Sequence, residues 1–285
     1  MAILQKNAYA KINLFLDIDS KREDGYHNII SVMQSISLCD TVTVEYDNCK
    51  DKIIDVTCDR EGIPSGEKNI AYKAANAFLS SGHAKIHIKK RIPASAGLAG
   101  GSTDAAAVLI LLNELTENKV SFEELVKIGA SIGADVPFCM VGGTCLTLGI
   151  GESISPFTPM ADTHIVIACH GEGVSTPKAY SSLDLIYNDF KNYTPHTKNL
   201  EALRASSTNF SQMFNIFESA ILPVRPSVQK IKQIMTDLGA DVSMMSGSGP
   251  SVFGIFSSKE RAEKALNTLM SIGADAFLCS PQGTV

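Results

Sequence analysis

A loop of small residues, PASAGLAGGSTD at residues 93–104, joins a strand-like segment to a strongly apolar helical pattern. Gly97, Gly100 and Gly101 remove side chains that would keep a ligand away from the backbone, and glycine also permits positive φ angles. The following helix would direct its first amides and the positive end of its dipole outward, which suits an anion. The segment therefore predicts either a phosphate-binding loop or a flexible connection between a strand and a helix.

The spacing of these glycines differs from the two familiar phosphate motifs. A Walker A loop carries a lysine after its last glycine, whereas Gly101 is followed by Ser102 and Thr103. A dinucleotide-binding fingerprint has the pattern G-x-G-x-x-G, whereas this loop has G-x-x-G-G. The positive charge that a phosphate needs must therefore come from a metal ion or from another loop.

Length and composition predict a globular protein of two domains. The chain has 285 residues, whereas single hydrophobic cores stop growing at roughly 250–300 residues. Hydrophobic residues make up 45% of the chain and charged residues 19%, and no low-complexity tract or internal repeat is visible. Such a composition is typical of an ordered, water-soluble protein and excludes a disordered chain.

Charge and cysteine usage limit the partners of the chain. The net charge of -5 argues against sequence-independent nucleic-acid binding, which needs a basic face. No apolar run approaches the roughly 20 residues that span a bilayer, and the N-terminal segment lacks a signal-peptide pattern. The seven cysteines form no C-x-x-C pair and predict reduced thiols rather than a zinc site. We therefore expect a cytoplasmic monomer or weak homodimer with no nucleic-acid or membrane partner.

Hydrophobic patterning predicts a mixture of strands and helices in the first half of the chain. Alternating apolar and polar residues predict strands at residues 7–18, 31–46, 52–58 and 84–92. Helices are predicted from Asn69 to Gly82, from about Ser102 to Thr116 with a cap from Ser102, Thr103 or Asp104, and from the capping box of Ser121 and Glu124 to Gly133. The apolar segment at residues 138–151 predicts a pair of strands around a glycine bend.

The second half of the chain has a different order of elements. The pattern changes near residues 155–159, so we predict domains at residues 1–155 and 156–285. The second domain is predicted to contain a strand at 163–170, a helix starting at Pro226, strands at 240–245 and 251–256, a helix at 258–272 and a strand at 274–279. This β-α-β-β-α-β order predicts a ferredoxin-like domain. The first domain lacks strict β-α alternation, so the fold class is α+β.

Three segments resemble the motifs of the GHMP kinases, a family of small-molecule kinases. PASAGLAGGSTDAA at 93–106 resembles the second motif of the family, and SGSGPSVFGIF at 246–256 resembles the third. AYAKINLFLDI at 8–18 with REDGYH at 22–27 resembles the N-terminal signature of one branch, which acts on a cytidine diphosphate-linked methylerythritol. The resemblance spans essentially the whole chain. It implies a two-domain GHMP kinase fold, with an N-terminal domain like domain 2 of ribosomal protein S5 and a C-terminal ferredoxin-like domain.

The resemblance implies that the glycine-rich loop wraps the triphosphate of ATP. Asp104 would bind Mg²⁺ or would only complement the helix dipole. Without the resemblance, Asn69 would be a helix cap and Lys90 an exposed strand lysine. Branch members often carry more glycines than this loop does, but small side chains still let a phosphate approach. The implied ATP-binding residues are Asn69, Lys90, Pro93, Ala94, Ser95, Ala96, Gly97, Leu98, Ala99, Gly100, Gly101, Ser102, Thr103 and Asp104.

The resemblance also implies two catalytic residues. Asp135 precedes Pro137, which disfavours helix at Val136, so the sequence alone favours a turn residue that makes local hydrogen bonds. By resemblance, Asp135 is the general base that takes the proton of the substrate hydroxyl. Lys11, otherwise an exposed strand lysine, would keep Asp135 ionised and position the hydroxyl oxygen.

The implied substrate-binding residues come from three segments. Tyr26 would stack on a cytosine base and His27 would hydrogen-bond to it, with Tyr180 as the facing aromatic ring; otherwise Tyr26 and His27 are a local lid or packing contact. Asn13, two residues after Lys11 on the same strand face, would orient the substrate or only satisfy backbone groups. The remaining residues of this set are Thr176, Gly247, Ser248 and Gly249, and the last three would otherwise form only a tight turn.

Together these features predict an ATP- and Mg²⁺-dependent kinase of non-mevalonate isoprenoid precursor synthesis. The enzyme would transfer phosphate directly to the 2-hydroxyl of the cytidine diphosphate-linked methylerythritol, without a phosphoenzyme. Two alternatives stay open. One is another GHMP kinase, acting on homoserine or a mevalonate derivative, and the other is a non-catalytic nucleotide sensor on the same fold.

Overall fold

A computed structural model of the chain describes residues 2–171 and 173–284. Its strands are β1 (Ala2–Lys21), β2 (His27–Asp47), β3 (Lys52–Cys58), β4 (Gly82–Lys89), β5 (Thr144–Gly149), β6 (Ser153–Pro156), β7 (His164–Cys169), β8 (Phe214–Asn215), β9 (Val242–Met245), β10 (Val252–Phe256) and β11 (Asp275–Cys279). Its α-helices are α1 (Ile70–Phe78), α2 (Gly100–Leu115), α3 (Phe122–Ile132), α4 (Val136–Val141), α5 (Thr176–Ile186), α6 (Thr197–Ala205), α7 (Glu218–Ile221), α8 (Pro226–Asp237) and α9 (Lys259–Ser271). None of these helices is long and apolar enough to cross a membrane.

The first sheet is built around the long antiparallel pair of β1 and β2. The strand order is β3-β4-β2-β1-β8, and β5 pairs with both β2 and β6. The register between β1 and β2 shifts between Tyr9 and Lys11 and again between Asn13 and Phe15. Such bulges bend a strand and redirect its side chains, so Lys11 and Asn13 lie on a locally distorted segment of β1.

Helix α2 is the central helix of the first domain. It is buried on nearly all sides, and its buried residues include Ala105, Val108, Leu109 and Leu112. The helix packs against α1, α4 and the first sheet. A helix that is apolar all round belongs in a core, which fixes the direction in which its N-terminus points.

The second sheet confirms the ferredoxin-like prediction. Its strand order is β11-β7-β10-β9, and all neighbouring strands are antiparallel. Helix α8 precedes β9 at the end of a long connection from β7 that also contains α5, α6, β8 and α7, and helix α9 connects β10 to β11. The two helices bury Val228, Ile231 and Met235 of α8 and Ala262, Ala265 and Leu269 of α9, spacings that form one apolar stripe on each helix.

One short strand from the second half of the chain joins the first sheet. Strand β6 of the first sheet ends at Pro156, and β7 of the second sheet begins at His164. However, the short β8 pairs in parallel with β1, through Phe15 with Phe214 and Leu16 with Asn215. The boundary between residues 155 and 156 stays a prediction.

Two predicted elements of the first domain were wrong in part. The helix after Asn69 ends at Phe78 rather than at Gly82. Gly82 begins β4 with a positive φ of +99°, which its missing side chain allows. Residues 138–141 are helical and belong to α4, so only Thr144–Gly149 forms a strand in the segment predicted as a strand pair. Short apolar runs do not distinguish a buried helix from a buried strand.

Two loops hold the halves of the chain together. We define the glycine loop as residues 93–101 and the C-terminal loop as residues 246–250. The Ser246 hydroxyl donates to the carbonyl oxygen of Gly97 at 2.9 Å. The amide of Ser251 donates to the carbonyl oxygen of Ala96 at 3.2 Å. A Cβ atom at Gly97 would lie 2.2 Å from the carbonyl oxygen of Ser246. Gly97 is therefore required for contact between the two loops.

We expect Gly97→Ala to destabilise the fold by more than about 3 kcal/mol, because a buried backbone contact must open. Gly62→Ala is the matched control: Gly62 has a similar positive φ of +82°, but no atom lies within 4 Å of the added Cβ. The control should cost only about 1–2 kcal/mol, the strain of a left-handed residue. Urea unfolding measures both values, and equal losses in the two variants would contradict the proposed contact.

Candidate active site

A cavity of about 1100 Å³ is lined by residues from both halves of the chain. All but two of the predicted site residues line it, namely Lys11, Asn13, Tyr26, His27, Asn69, Lys90, Pro93, Ala94, Ser95, Ala96, Gly97, Ala99, Gly100, Gly101, Ser102, Asp104, Asp135, Thr176, Tyr180, Gly247, Ser248 and Gly249. The exceptions are Leu98, which is buried in a hydrophobic cluster, and Thr103, whose hydroxyl donates to the carbonyl oxygen of Tyr9 at 2.8 Å.

The N-terminus of α2 differs from its prediction. The helix begins at Gly100, and no side chain caps it, so the predicted caps from Ser102, Thr103 and Asp104 were wrong. Ala99 precedes the helix in the left-handed conformation, with φ 58° and ψ 28°. The first amides of a helix have no intrahelical acceptor. Because Gly100, Gly101 and Ser102 line the cavity, this helix start has the geometry of an anion-binding site.

Asn69 makes the contacts of a helix cap. Its side-chain oxygen accepts from the amide of Ala71 at 2.9 Å, and its side-chain nitrogen donates to the carbonyl oxygen of Pro64 at 2.8 Å. The residue is buried and lines the cavity beside Ile70. The structure therefore bears out the capping role that the sequence alone predicts, and it leaves the nucleotide contact as a prediction.

The side chain of Lys90 is buried, so its interpretation as an exposed strand lysine was wrong. Its side chain is 4% exposed, and its ammonium donates to Asp104 at 2.7 Å and also to Asp40. The second oxygen of Asp40 accepts from the amides of Arg91 at 2.5 Å and Ile92 at 2.8 Å. Asp40 thus fixes both Lys90 and the backbone at the start of the glycine loop.

The alternation of residues in β2 indicates a role for Asp40, which lies outside the three family-like motifs. In β2, alternate residues face the core, and the buried face carries Leu38, Asp40, Val42 and Val44. A carboxylate on a buried strand face needs a partner. Here the partner is Lys90, and the ion pair joins β2 to the end of β4.

The cluster of Asp40, Lys90 and Asp104 holds two carboxylates for one ammonium. Burial raises the pKa of Asp104 to about 7, with Lys90 opposing the rise and Asp40 adding to it. Burial lowers the pKa of Lys90, but the two carboxylates outweigh burial and raise it above its ordinary value. One oxygen of Asp104, Oδ1, is buried without a hydrogen-bond partner among the described residues. Asp104 is therefore the carboxylate whose charge is poorly compensated.

We expect the stability of the wild-type chain to fall as pH rises from about 4 through about 7, relative to Asp104→Asn. A carboxyl with a raised folded pKa stabilises the fold while it is protonated, and this contribution is lost once it ionises. Asp104→Asn lacks that titration. From pH 5 to pH 8 the unfolding free energy of the wild-type chain should therefore fall relative to that of the variant. Urea unfolding at both values measures the shift, and parallel pH profiles would contradict it.

Lys11 and Asp135 face each other beside the glycine loop. The ammonium of Lys11 donates to Asn13 Oδ1 at 2.7 Å and to the carbonyl oxygen of Gly97 at 3.0 Å, and it lies 3.9 Å from Asp135 Oδ2. Lys11 is buried, so its interpretation as an exposed lysine was wrong. Asn13 is itself held by Ser31, which accepts from its side-chain amide at 2.9 Å. The ammonium therefore has a fixed position next to the carboxylate.

Asp135 occupies a helix start rather than an isolated turn. It precedes α4, and Val136 is helical despite the following Pro137, because a proline near the start of a helix loses no intrahelical hydrogen bond. The Asp135 side chain is 31% exposed and does not cap the helix. No hydrogen bond from the described residues reaches its carboxylate, so the carboxylate is available to a ligand in the cavity.

The C-terminal loop lies against the same ammonium. A Cβ atom at Gly247 would lie 3.3 Å from Lys11 Nζ and 3.2 Å from the carbonyl oxygen of Gly97. The hydroxyls of Thr176 and Ser248 lie 2.9 Å apart and hydrogen-bond to each other. The loop therefore does more than form a turn between two strands, since it borders the cavity beside Lys11 and α5.

The three residues predicted to bind a base all line the cavity. Tyr26 is 63% exposed at the edge of the cavity. The ring of His27 stacks on that of Tyr180, with centroids 4.7 Å apart and an interplanar angle of 18°. One face of Tyr180 is therefore covered by His27, and burial raises the pKa of its hydroxyl to about 12. The structure also adds Asp184, which lines the cavity and hydrogen-bonds to His27.

Comparison with known proteins identifies the family. The model of the GHMP kinases N terminal domain matches residues 69–143, and the model of the GHMP kinases C terminal domain matches residues 192–274. The chain belongs to the GHMP kinase family. The matched ranges contain the glycine loop, Asp135 and the C-terminal loop, so the resemblance found in the sequence is confirmed for the family and for the fold.

Relatives of similar length carry one recurring enzyme name. The chain is 40% identical to a 4-diphosphocytidyl-2-C-methyl-D-erythritol kinase of Clostridium perfringens over 93% of each chain. It is 43% identical to the enzyme of the same name from Caldicellulosiruptor bescii, over 93% of this chain and 94% of that one. A crystal structure of 4-(cytidine 5'-diphospho)-2C-methyl-D-erythritol kinase is 30% identical, with a TM-score of 0.79 over 98% of this chain and 100% of that chain.

More distant GHMP kinases share the fold alone. A homoserine kinase from Cytophaga hutchinsonii superimposes with a TM-score of 0.75 over 100% of this chain and 96% of that chain, at 19% identity. At that identity the similarity concerns the arrangement of strands and helices. Substrate preference must therefore be argued from the side chains that line the cavity.

Proposed function

We propose that the chain transfers the γ-phosphate of ATP to the 2-hydroxyl of 4-diphosphocytidyl-2-C-methyl-D-erythritol, a step of non-mevalonate isoprenoid precursor synthesis. The observation that carries the proposal is that an uncapped helix start and the Lys11–Asp135 pair line one cavity. The helix start suits phosphate, and the pair suits activation of a hydroxyl. The names of the relatives at 40% and 43% identity support this choice of substrate.

In the proposed reaction, the glycine loop and the first amides of α2 bind the phosphates. Asp135 accepts the proton of the substrate hydroxyl as its oxygen forms a bond to the γ-phosphorus. The bond between the γ-phosphorus and the oxygen that bridges it to the β-phosphorus breaks, and ADP leaves with that oxygen. Lys11, whose ammonium lies 3.9 Å from the Asp135 carboxylate, stabilises negative charge on the attacking oxygen. The transfer is direct, so no residue carries the phosphate between the two substrates.

Magnesium fits one feature of this site. The free Oδ1 atom of Asp104 is a carboxylate oxygen, and Mg²⁺ in kinases usually binds one or two carboxylates, substrate phosphates and water. The residues described by the structure include no cluster of three or more His, Cys, Asp or Glu side chains that would hold a metal alone. Asp104 would therefore share the ion with the triphosphate. When bound, Mg²⁺ neutralises charge that develops on the phosphate oxygens.

The substrate base is proposed to bind near Tyr26, His27 and Tyr180. These residues line the cavity and lie in the turn after β1, at the start of β2 and in α5, respectively. Tyr26 offers an exposed ring on which a base can stack, with a gain of about 1–3 kcal/mol. Because His27 already covers one face of Tyr180, a base that stacks on Tyr180 must use its other face or displace His27.

We expect purified protein to convert 4-diphosphocytidyl-2-C-methyl-D-erythritol and ATP to a phosphomonoester and ADP. Phosphorus NMR measures the new phosphomonoester signal. Chelation of the metal with EDTA should stop turnover, and added Mg²⁺ should restore it. Absence of turnover at millimolar substrate would refute the assignment of the substrate, and phosphorylation of homoserine or mevalonate instead would favour another GHMP kinase activity. Binding of ATP without turnover of any of these alcohols would indicate a nucleotide sensor.

We expect Asp135→Asn to lower kcat by at least about 100-fold, because the amide cannot accept the hydroxyl proton. Affinity for ATP should change by less than about threefold, since the glycine loop and α2 bind the phosphates. Asp162→Asn is the control, because Asp162 is an exposed aspartate that does not line the cavity. Steady-state kinetics and calorimetric ATP binding measure the two effects. Wild-type kcat in Asp135→Asn would place the general base elsewhere.

A further inference from the structure

His27 is held on three sides by residues of the second half of the chain. Its ring stacks on Tyr180 at 4.7 Å and meets the edge of Phe190 at 5.6 Å, with an interplanar angle of 75°. Its Nε2 atom lies 2.7 Å from Asp184 Oδ1. The ring is buried, yet it lines the cavity. Its position and rotation are therefore fixed before any ligand binds.

Asp184 is itself oriented by a second contact. Its other oxygen, Oδ2, accepts from Lys21 Nζ at 2.9 Å, and Lys21 also donates to Asp189 at 2.6 Å. Asp184 and Tyr180 lie on the same face of α5, one helical turn apart. The helix thus presents a ring to the face of His27 and a carboxylate to its edge.

This contact determines which nitrogen of His27 carries the proton. A carboxylate accepts hydrogen bonds and does not donate them, so the Nε2 atom of His27 must be the donor. In the neutral imidazole, Nδ1 is then an acceptor. No hydrogen bond from the described residues reaches Nδ1. A buried ring at the cavity wall therefore offers one acceptor with a fixed orientation.

We propose that Asp184 is a positioning residue that fixes the Nε2–H form of His27 and thereby selects cytosine over uracil. The proposal rests on the proposed function, in which His27 hydrogen-bonds to the base. The 4-amino group of cytosine donates to an acceptor at Nδ1. Uracil carries a carbonyl oxygen at the same ring position, and two acceptors would face each other. A site built around one donor–acceptor pair disfavours the ligand that leaves it unpaired.

The test compares the binding of CDP and UDP to the wild-type chain, Asp184→Asn and Asp189→Asn. An asparagine can donate or accept at this position, so His27 can adopt either tautomer in Asp184→Asn. The ratio of CDP to UDP affinity should fall about tenfold, the effect of one hydrogen bond between neutral groups. Asp189→Asn removes the other carboxylate on Lys21 without touching His27, and it should keep the wild-type ratio.

Kinetics separate positioning from catalysis. In Asp184→Asn, KM for the cytidine substrate should rise while kcat at saturation stays within about twofold of wild type, because Asp135 and Lys11 are unchanged. Nitrogen-15 NMR of the imidazole reports the tautomer directly, as Nε2–H in the wild-type chain and as a mixture in the variant. The measurement on the wild-type chain remains decisive if the variant folds poorly.

The possible outcomes distinguish the two proposals. A wild-type preference for CDP that persists in Asp184→Asn, or an Nδ1–H tautomer in the wild-type chain, would overturn the role of Asp184 and leave the proposed function standing. A wild-type chain that binds CDP no better than UDP would instead count against the cytidine substrate, and the role of Asp184 would fail with it. A lower ratio in Asp184→Asn alone, with Nε2–H in the wild-type chain, supports both.

Discussion

The carbonyl oxygen of Gly97 is the point on which the rest of the site depends. It accepts from the ammonium of Lys11 at 3.0 Å and from the hydroxyl of Ser246 at 2.9 Å. One oxygen therefore joins the first strand, the glycine loop and the C-terminal loop. Lys11 approaches Asp135 only because this contact, together with Asn13, holds its ammonium in place. The glycine loop is thus a structural junction as well as a candidate phosphate site.

The cluster of Asp40, Lys90 and Asp104 places three charged groups in a buried position. Two carboxylates and one ammonium in a buried position are expensive to desolvate, and such pairs are weak evidence for stability. Asp40 compensates by accepting two backbone amides at the start of the loop. Asp104 has no such compensation, which leaves one oxygen without a partner. A cation shared with a bound triphosphate would complete its coordination, so the unfavourable charge is located where the proposed function needs it.

Local patterns in the sequence predicted the features that depend on neighbouring residues. The capping box of Ser121 and Glu124 is present, and the order of elements after residue 163 gives the ferredoxin-like sheet. The errors arose where distant contacts decide. The local sequence predicts that Lys90 is exposed, but the fold places it against Asp40 of another strand. Helix α2 begins at Gly100, two residues before the predicted start, because Ala99 adopts a left-handed conformation that alanine disfavours.

The proposed phosphate site and the proposed base site come from different segments of the chain. The family models match residues 69–143 and 192–274, which contain the glycine loop, Asp135 and the C-terminal loop. The residues proposed to bind the base lie outside those ranges, in the turn after β1, at the start of β2 and in α5, and Lys11 of β1 lies outside them as well. A homoserine kinase shares the fold at 19% identity. The glycine loop, Lys11 and Asp135 belong to other segments than the β1–β2 turn and α5, and Asp184 and His27 lie where a change in those two segments would alter the proposed base pocket.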